Sequence, residues 1–192
     1  MKKVLFIMSA LTLGLVGCGD DIKKNPLVAE WNTPYQTPPF SEIKLEHYEP
    51  AIDYAIELNR AEIDAIINNP EAPTFENTIV AMEQSGALLS RVSNLFFVLN
   101  NCCTSAEMQA IAQNVTPKLT ELSNDISLNP QLFERIKSVY DQRKQLNLDE
   151  EDMMLLEVKY DEFLPDYIEK LITPQVNQRT SFSKYYLCKK YS

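Results

Sequence analysis

Histidine is nearly absent from these 192 residues: His47 is the only one. A metal site built from two histidines on one helical face therefore cannot form within this sequence. No cysteine stands beside that histidine, so the sequence shows no nucleophile and base as neighbours. Glycine is equally scarce, four residues with three of them before position 20, which rules out a glycine-rich loop cradling phosphates. No apolar run reaches the roughly 20 residues that a helix needs to cross a bilayer. Strand-like alternation is missing between Tyr48 and Phe163, and the class expected is all-α, an antiparallel helical array. Basic residues are also few in the body. From Cys18 to Pro174 there are 12 Lys and Arg against 27 Asp and Glu. So acidic a body predicts no nucleic-acid partner, because phosphate binding needs a basic face that releases counterions.

What is present begins with an export pattern. Lys2 and Lys3 precede the apolar stretch Val4 to Val16, and Leu15-Val16-Gly17-Cys18 reads as a lipobox. The expectation is a lipoprotein signal peptide over 1–17, cleaved so that Cys18 is lipidated and anchors the chain in a bacterial cell envelope, at the inner or outer membrane. The alternative is an ordinary secretory signal with an incidental cysteine. Residues 18–40, polar and proline-rich, read as a tether and lead-in. The rest of the chain has the length of one helical domain. With Cys18 assigned to lipid, three cysteines remain. A bridge between the adjacent Cys102 and Cys103 would be strained, while a bridge from either to Cys188 stays open. Metal ligation by the adjacent pair is the weaker reading, since no further Cys or His sits at ligand spacing.

Five amphipathic helices are predicted. The first opens at Pro50, where a proline costs no hydrogen bond, and runs to Asn68 with Ile52, Ile56, Ile63, Ile66 and Ile67 on its apolar side. The second starts after Thr74, whose hydroxyl can cap it, and continues unbroken through Ile79, Met82, Leu89, Val92, Phe96 and Leu99. Ser85, Gly86, Ser90 and Ser93 leave one side of it thin, so that another helix can come close. Thr104-Ser105-Ala106-Glu107 predicts a capping box for the third, which carries Met108, Val115, Leu122 and Ile126 and should kink at Pro117. Asn129-Pro130 opens the fourth through Tyr140. Asp149 opens the fifth, with Glu150, Glu151 and Asp152 at its positive end and Phe163 near its close.

None of these residues announces chemistry. His47 lies just before the first helix and reads as a hydrogen-bonded or exposed surface residue. The acids from Glu150 to Asp152 read as a solvated helix start, and Met82, Phe96, Met108, Phe133 and Tyr140 as core. Asn114-Val115-Thr116 is a formal glycosylation sequon placed mid-helix, which discounts it.

A more specific signal is spread along the chain. Glu30-Trp31-Asn32-Thr33-Pro34, Glu46-His47-Tyr48 and above all Asn69-Pro70-Glu71-Ala72-Pro73-Thr74-Phe75-Glu76-Asn77-Thr78, followed by Ser85-Gly86-Ala87-Leu88-Leu89, Arg91-Val92-Ser93-Asn94 and Val139-Tyr140-Asp141-Gln142-Arg143, closely resemble the N-terminal region of bacterial peptidyl-dipeptidases, or dipeptidyl carboxypeptidases, within the thimet-oligopeptidase-like zinc metallopeptidases. The likeness covers about residues 25 to 163. It implies that 41–163 is the N-terminal helical region of a larger zincin-type oligopeptidase fold. It also implies an enzyme that, when complete, uses zinc held by His-Glu-x-x-His to release C-terminal dipeptides from oligopeptides. Here His47 is followed by Tyr48-Glu49-Pro50-Ala51, so that motif is not formed. No catalytic, cofactor-binding or metal residue can be carried over to any position in this chain.

After Phe163 the likeness stops. From Gln175 to Ser192 there are four basic residues and no acid, and 164–192 reads as a divergent tail, either out of frame with what precedes it or a natural divergent terminus. Three readings stay open: an inactive N-terminal fragment of a lipid-anchored peptidyl-dipeptidase, one part of a split peptidase completed by a separate catalytic portion, and a free-standing helical lipoprotein that binds a partner.

Overall fold

The computed structural model describes residues 19–172, and among them every regular element is helical. The signal segment, Cys18 and the basic tail with Cys188 lie outside the described residues. A short α1 (Gly19–Ile22) leads through turns and two short 3-10 segments to α2 (Tyr48–Ile67). A π-type turn over Phe75–Val80 passes directly into α3 (Ala81–Gln84); then come α4 (Ala87–Cys102), α5 (Ala106–Ser127), α6 (Pro130–Asp141) and α7 (Glu150–Ile172). No helix of the described residues is long and apolar enough to cross a membrane.

Two compact units share these elements. The first combines the residues up to Ala55 with Leu88–Val115; the second combines Ile56–Ala87 with the residues from Thr116 onward. In the first unit Tyr48, Ala51, Ile52, Val92 and Phe96 are buried, and the Tyr48 and Phe96 rings lie 5.1 Å apart at a tilt. The stretch read as a tether is in part packed here. Leu27 is fully buried, its amide donates to Asn25 Oδ1 (3.0 Å), and Asn25 Nδ2 donates to the His47 carbonyl (2.8 Å). An apolar residue at position 27 is worth burying, so residues 25–31 stay on the body instead of standing off as a spacer.

The second unit has a continuous core of Ile63, Ile66, Phe75, Ile79, Met82, Leu132, Phe133, Ile136, Val139, Leu156 and Phe163. These come from α2, the π-type turn, α3, α6 and α7, as the helical periodicity predicts. The buried apolar area supplies most of the favourable free energy of such a unit.

Several boundaries differ from expectation. α2 begins at Tyr48, two residues before Pro50, which sits harmlessly in the first turn where its missing N–H has no partner to lose. The second predicted helix is not one helix: Ser85 is extended and Gly86 has φ of 70°, so the chain breaks between α3 and α4. The cap of α5 is Ser105 and not Thr104, since Ser105 Oγ accepts from the Met108 amide at 3.2 Å. Glu107 then falls one position short of the predicted box; its own backbone amide and the Ser105 hydroxyl bind its carboxylate and hold it below the usual carboxylate range. Pro117 lies inside α5, as the sequence places it, whereas α7 continues to Ile172 instead of closing near Phe163. The caps at Thr74, Asn129 and Asp149 form as the sequence indicates.

Burial raises the Tyr48 phenol above its ordinary value near 10. An acid whose folded pKa is raised is deprotonated more readily in the unfolded chain, so the contribution present below pH about 10 is lost as pH rises above it. Stability measured by urea melts should fall from pH 9 to 11, and Tyr48→Phe, which keeps the ring packing, should flatten that fall. An unchanged slope in the variant would show that Tyr48 does not govern it.

Candidate functional site

The proline-punctuated segment of the second unit is held by a set of side-chain hydrogen bonds. Asn69 Oδ1 accepts from the Glu71 amide (2.9 Å) and Asn77 Nδ2 donates to the Ala72 carbonyl (2.9 Å). Thr74 and Asn77 cap each other: the Asn77 amide donates to Thr74 Oγ1 (3.1 Å) and the Thr74 amide to Asn77 Oδ1 (2.8 Å). Prolines at 70 and 73 lack the N–H groups that would otherwise need partners, which leaves few orphaned donors in the turn.

Arg135, from α6, closes the arrangement. Its guanidinium donates to the carbonyls of Asn69 (3.0 Å) and Glu71 (3.4 Å) and to Asn77 Oδ1 (3.4 Å). Such a planar donor fork suits several acceptors in one plane, which a lysine cannot match. Arg135→Met should cost about 2 kcal/mol, since hydrogen bonds from a charged donor are worth about 1.5–3 kcal/mol and this one is partly exposed. Limited proteolysis should then cut first between Asn69 and Asn77. An unaltered cleavage pattern would remove the guanidinium from this role.

Beside the loop lies a groove of about 290 Å³, bounded by Pro73, Thr74, Phe75 and Glu76 on one side and by Val139, Gln142 and Leu146 to Leu148 on the other. Its walls mix aliphatic side chains with Thr74, Glu76, Gln142 and Asn147. The Thr74 hydroxyl is engaged in its cap, and no second titratable group faces Glu76 across the groove. The residues lining this groove include no acid and base pair for catalysis.

An analogous clamp organises the first unit. Arg91 Nη2 donates to the carbonyls of Leu27 (3.0 Å), Val28 (3.1 Å) and Ala29 (3.3 Å), and its guanidinium lies 4.7 Å over the Trp31 ring. Burial lowers the Arg91 pKa, and the nearby Glu30 opposes that shift. Neither clamp is legible in the sequence. Each joins an arginine to carbonyls more than 60 positions away, and carbonyls have no sequence signature.

Of the candidate residues, His47 is half-buried and its Nδ1 accepts from the Lys44 amide (3.0 Å), so it finishes a turn ahead of α2. Glu150 and Glu151 are exposed at the start of α7, which Asp149 caps through the Asp152 amide (2.9 Å). Met82, Phe96, Met108 and Phe133 are buried and Tyr140 half-buried. Among the described residues no three His, Cys, Asp or Glu gather where they could hold a metal ion.

No family model matches the chain. Individual proteins do. Over 140 residues it is 46% identical to a dipeptidyl carboxypeptidase of Salmonella typhimurium, covering 73% of this chain and 21% of that protein. The dipeptidyl carboxypeptidase of Escherichia coli is 43% identical over the same length and shares of the two chains. Oligopeptidase A of Escherichia coli is 26% identical over 117 residues, 61% of this chain and 17% of that protein. The chain thus spans about a fifth of the length of these curated relatives.

Proposed function

Over 73% of its length this chain is homologous to part of the dipeptidyl carboxypeptidases, within the thimet-oligopeptidase-like family, and from that premise we propose that it is the N-terminal helical portion of an exported peptidyl-dipeptidase, inactive without the catalytic portion. The observation that carries the proposal is the pairing of 46% identity with a single histidine. A zinc peptidase of the His-Glu-x-x-His kind holds the metal through two histidines one turn apart and activates water with the glutamate between them. This chain contributes neither. Its part is structural: clamped loops and helices that would wall a channel for oligopeptides, with zinc and the water-activating carboxylate supplied from elsewhere. Lipid on Cys18 would hold the assembly in the cell envelope.

A direct assay separates this reading from an autonomous peptidase. The purified chain, supplied with zinc and an unblocked oligopeptide, should release no C-terminal dipeptide and retain no stoichiometric zinc after gel filtration. Dipeptide release abolished by a chelator would overturn the proposal. Mass spectrometry of the chain isolated from membranes should show diacylglycerol on Cys18, and an unmodified Cys18 would remove the anchor from the account.

A further inference from the structure

Tyr140 of α6 and Tyr160 of α7 lie face to face, with ring centroids 3.8 Å apart and planes 4° from parallel. Aromatic pairs usually sit with centroids roughly 4.5–7 Å apart, offset or tilted, so this pair is tight. Neighbours hold it so. The Arg143 guanidinium lies 3.8 Å from the Tyr140 centroid, and since Tyr160 occupies one face of that ring, Arg143 takes the other. Phe133, buried in the core, stacks on Tyr160 at 5.7 Å and 29°. Both tyrosines are half-buried, so each keeps some surface in water.

We propose that Tyr140 and Tyr160 are a site of oxidative crosslinking, joined ortho carbon to ortho carbon as dityrosine when a haem peroxidase acting on hydrogen peroxide takes one electron from each phenol. A phenoxyl radical carries spin on the carbons ortho to its oxygen, in orbitals perpendicular to the ring. Nearly parallel rings aim those orbitals at each other, and at this separation an ortho carbon of each comes within reach whichever way the two hydroxyls point. With Arg143 on one side and Phe133 on the other, the face left to each radical is that of its partner ring. Each phenol gives up an electron and its hydroxyl proton, and the two radicals pair to form one C–C bond. Each joined carbon then releases its hydrogen as a proton and the ring oxygen regains one, which restores both phenols. One hydrogen peroxide is reduced to two waters in the sum. The new bond lies in the ring planes, so the rings must unstack afterwards, which their partial exposure permits. The tie closes the chain between α6 and α7 into a loop and so limits the freedom of the unfolded state.

The full-length chain would be treated with a haem peroxidase and hydrogen peroxide, the monomer recovered by gel filtration, and its tryptic peptides mapped by mass. Peptides 138–143 and 160–170 are expected as one species, lighter than their sum by two hydrogens, with fragmentation placing the link on Tyr160 and not on Tyr167. Tyr140→Phe and Tyr160→Phe keep the rings and remove one phenol each, so either should abolish that species and its dityrosine fluorescence. Tyr35, 99% exposed, serves as the internal control for coupling by chance encounter. A monomer without the linked species, coupling at Tyr35 ahead of it, or a species that persists in either phenylalanine variant would overturn the site.

Discussion

Phe133→Ala should lower the unfolding free energy by about 3–5 kcal/mol, the range for deleting a buried aromatic ring from a packed core. Against a total of roughly 5–15 kcal/mol for a typical domain, the variant would be left close to its threshold. Phe133 is 2% exposed and its ring stacks 5.7 Å from Tyr160, which in turn lies 3.8 Å from the Tyr140 ring. Arg143 covers the far side of that pair, 3.8 Å from the Tyr140 centroid. Removing Phe133 would therefore open one end of a four-member stack. Burial is the main reason that the Tyr160 phenol titrates above its ordinary value, so its pKa should fall toward that value in the variant. Urea melts followed by circular dichroism give the first effect, and alkaline absorbance titration gives the second. A loss under about 1 kcal/mol would mean that α6 and α7 do not pack through this ring.

Gly86→Ala should cost about 2–4 kcal/mol by two separable routes. The left-handed backbone at φ of 70° strains a residue with a Cβ by about 1–2 kcal/mol. The new Cβ would also stand 2.7 Å from Asn59 Nδ2 and 3.1 Å from its Cγ, in a buried position where overpacking costs about 1–3 kcal/mol. The Gly86 amide donates to Glu62 Oε2 (2.7 Å), which resists rotation of the backbone out of that conformation. Placing Asn59→Ala in the same chain should remove the steric route and leave the strain, so the cost of Gly86→Ala should drop by about half. Strict additivity of the two substitutions would show that Asn59 is not the obstacle.

The second helix shows where a local reading falls short. Ile79, Met82, Val92 and Phe96 fit one helical period in sequence, yet the first two are buried in the second unit and the last two in the first, so the period runs across a break it does not reveal. Gly86 is visible in sequence as a small residue allowing close approach, and the approach is real, but a glycine inside a helical pattern also signals a break. The choice between Thr104 and Ser105 as cap turns on which hydroxyl the chain can aim at a free amide, and both spacings are plausible on paper. Pro165 suggests that α7 closes early. Yet Phe163, Tyr167, Ile168 and Leu171 keep the helical spacing past it, and that periodicity is the signal that outlasts the proline. For the site, the proline loop stands out in sequence, while the groove beside it depends on Leu146 and Leu148 arriving from after α6. That return is a tertiary event with no local signature.

Each unit is assembled from two stretches of chain, with the exchanges falling at Ala55, Ala87 and Val115. During synthesis the first unit cannot close until residue 115 has left the ribosome, by which time residues 56–87 have waited without the later helices that bury Ile63, Ile66 and Ile79. A gene ending between Val115 and α6 would thus yield a chain with one unit complete and an apolar stretch of more than 30 residues unsheltered. Deleting either unit as a contiguous block is likewise ruled out by the connectivity. No single cut in the chain separates one unit from the other, so 19–172 behaves as one piece under truncation even though it holds two units of packing.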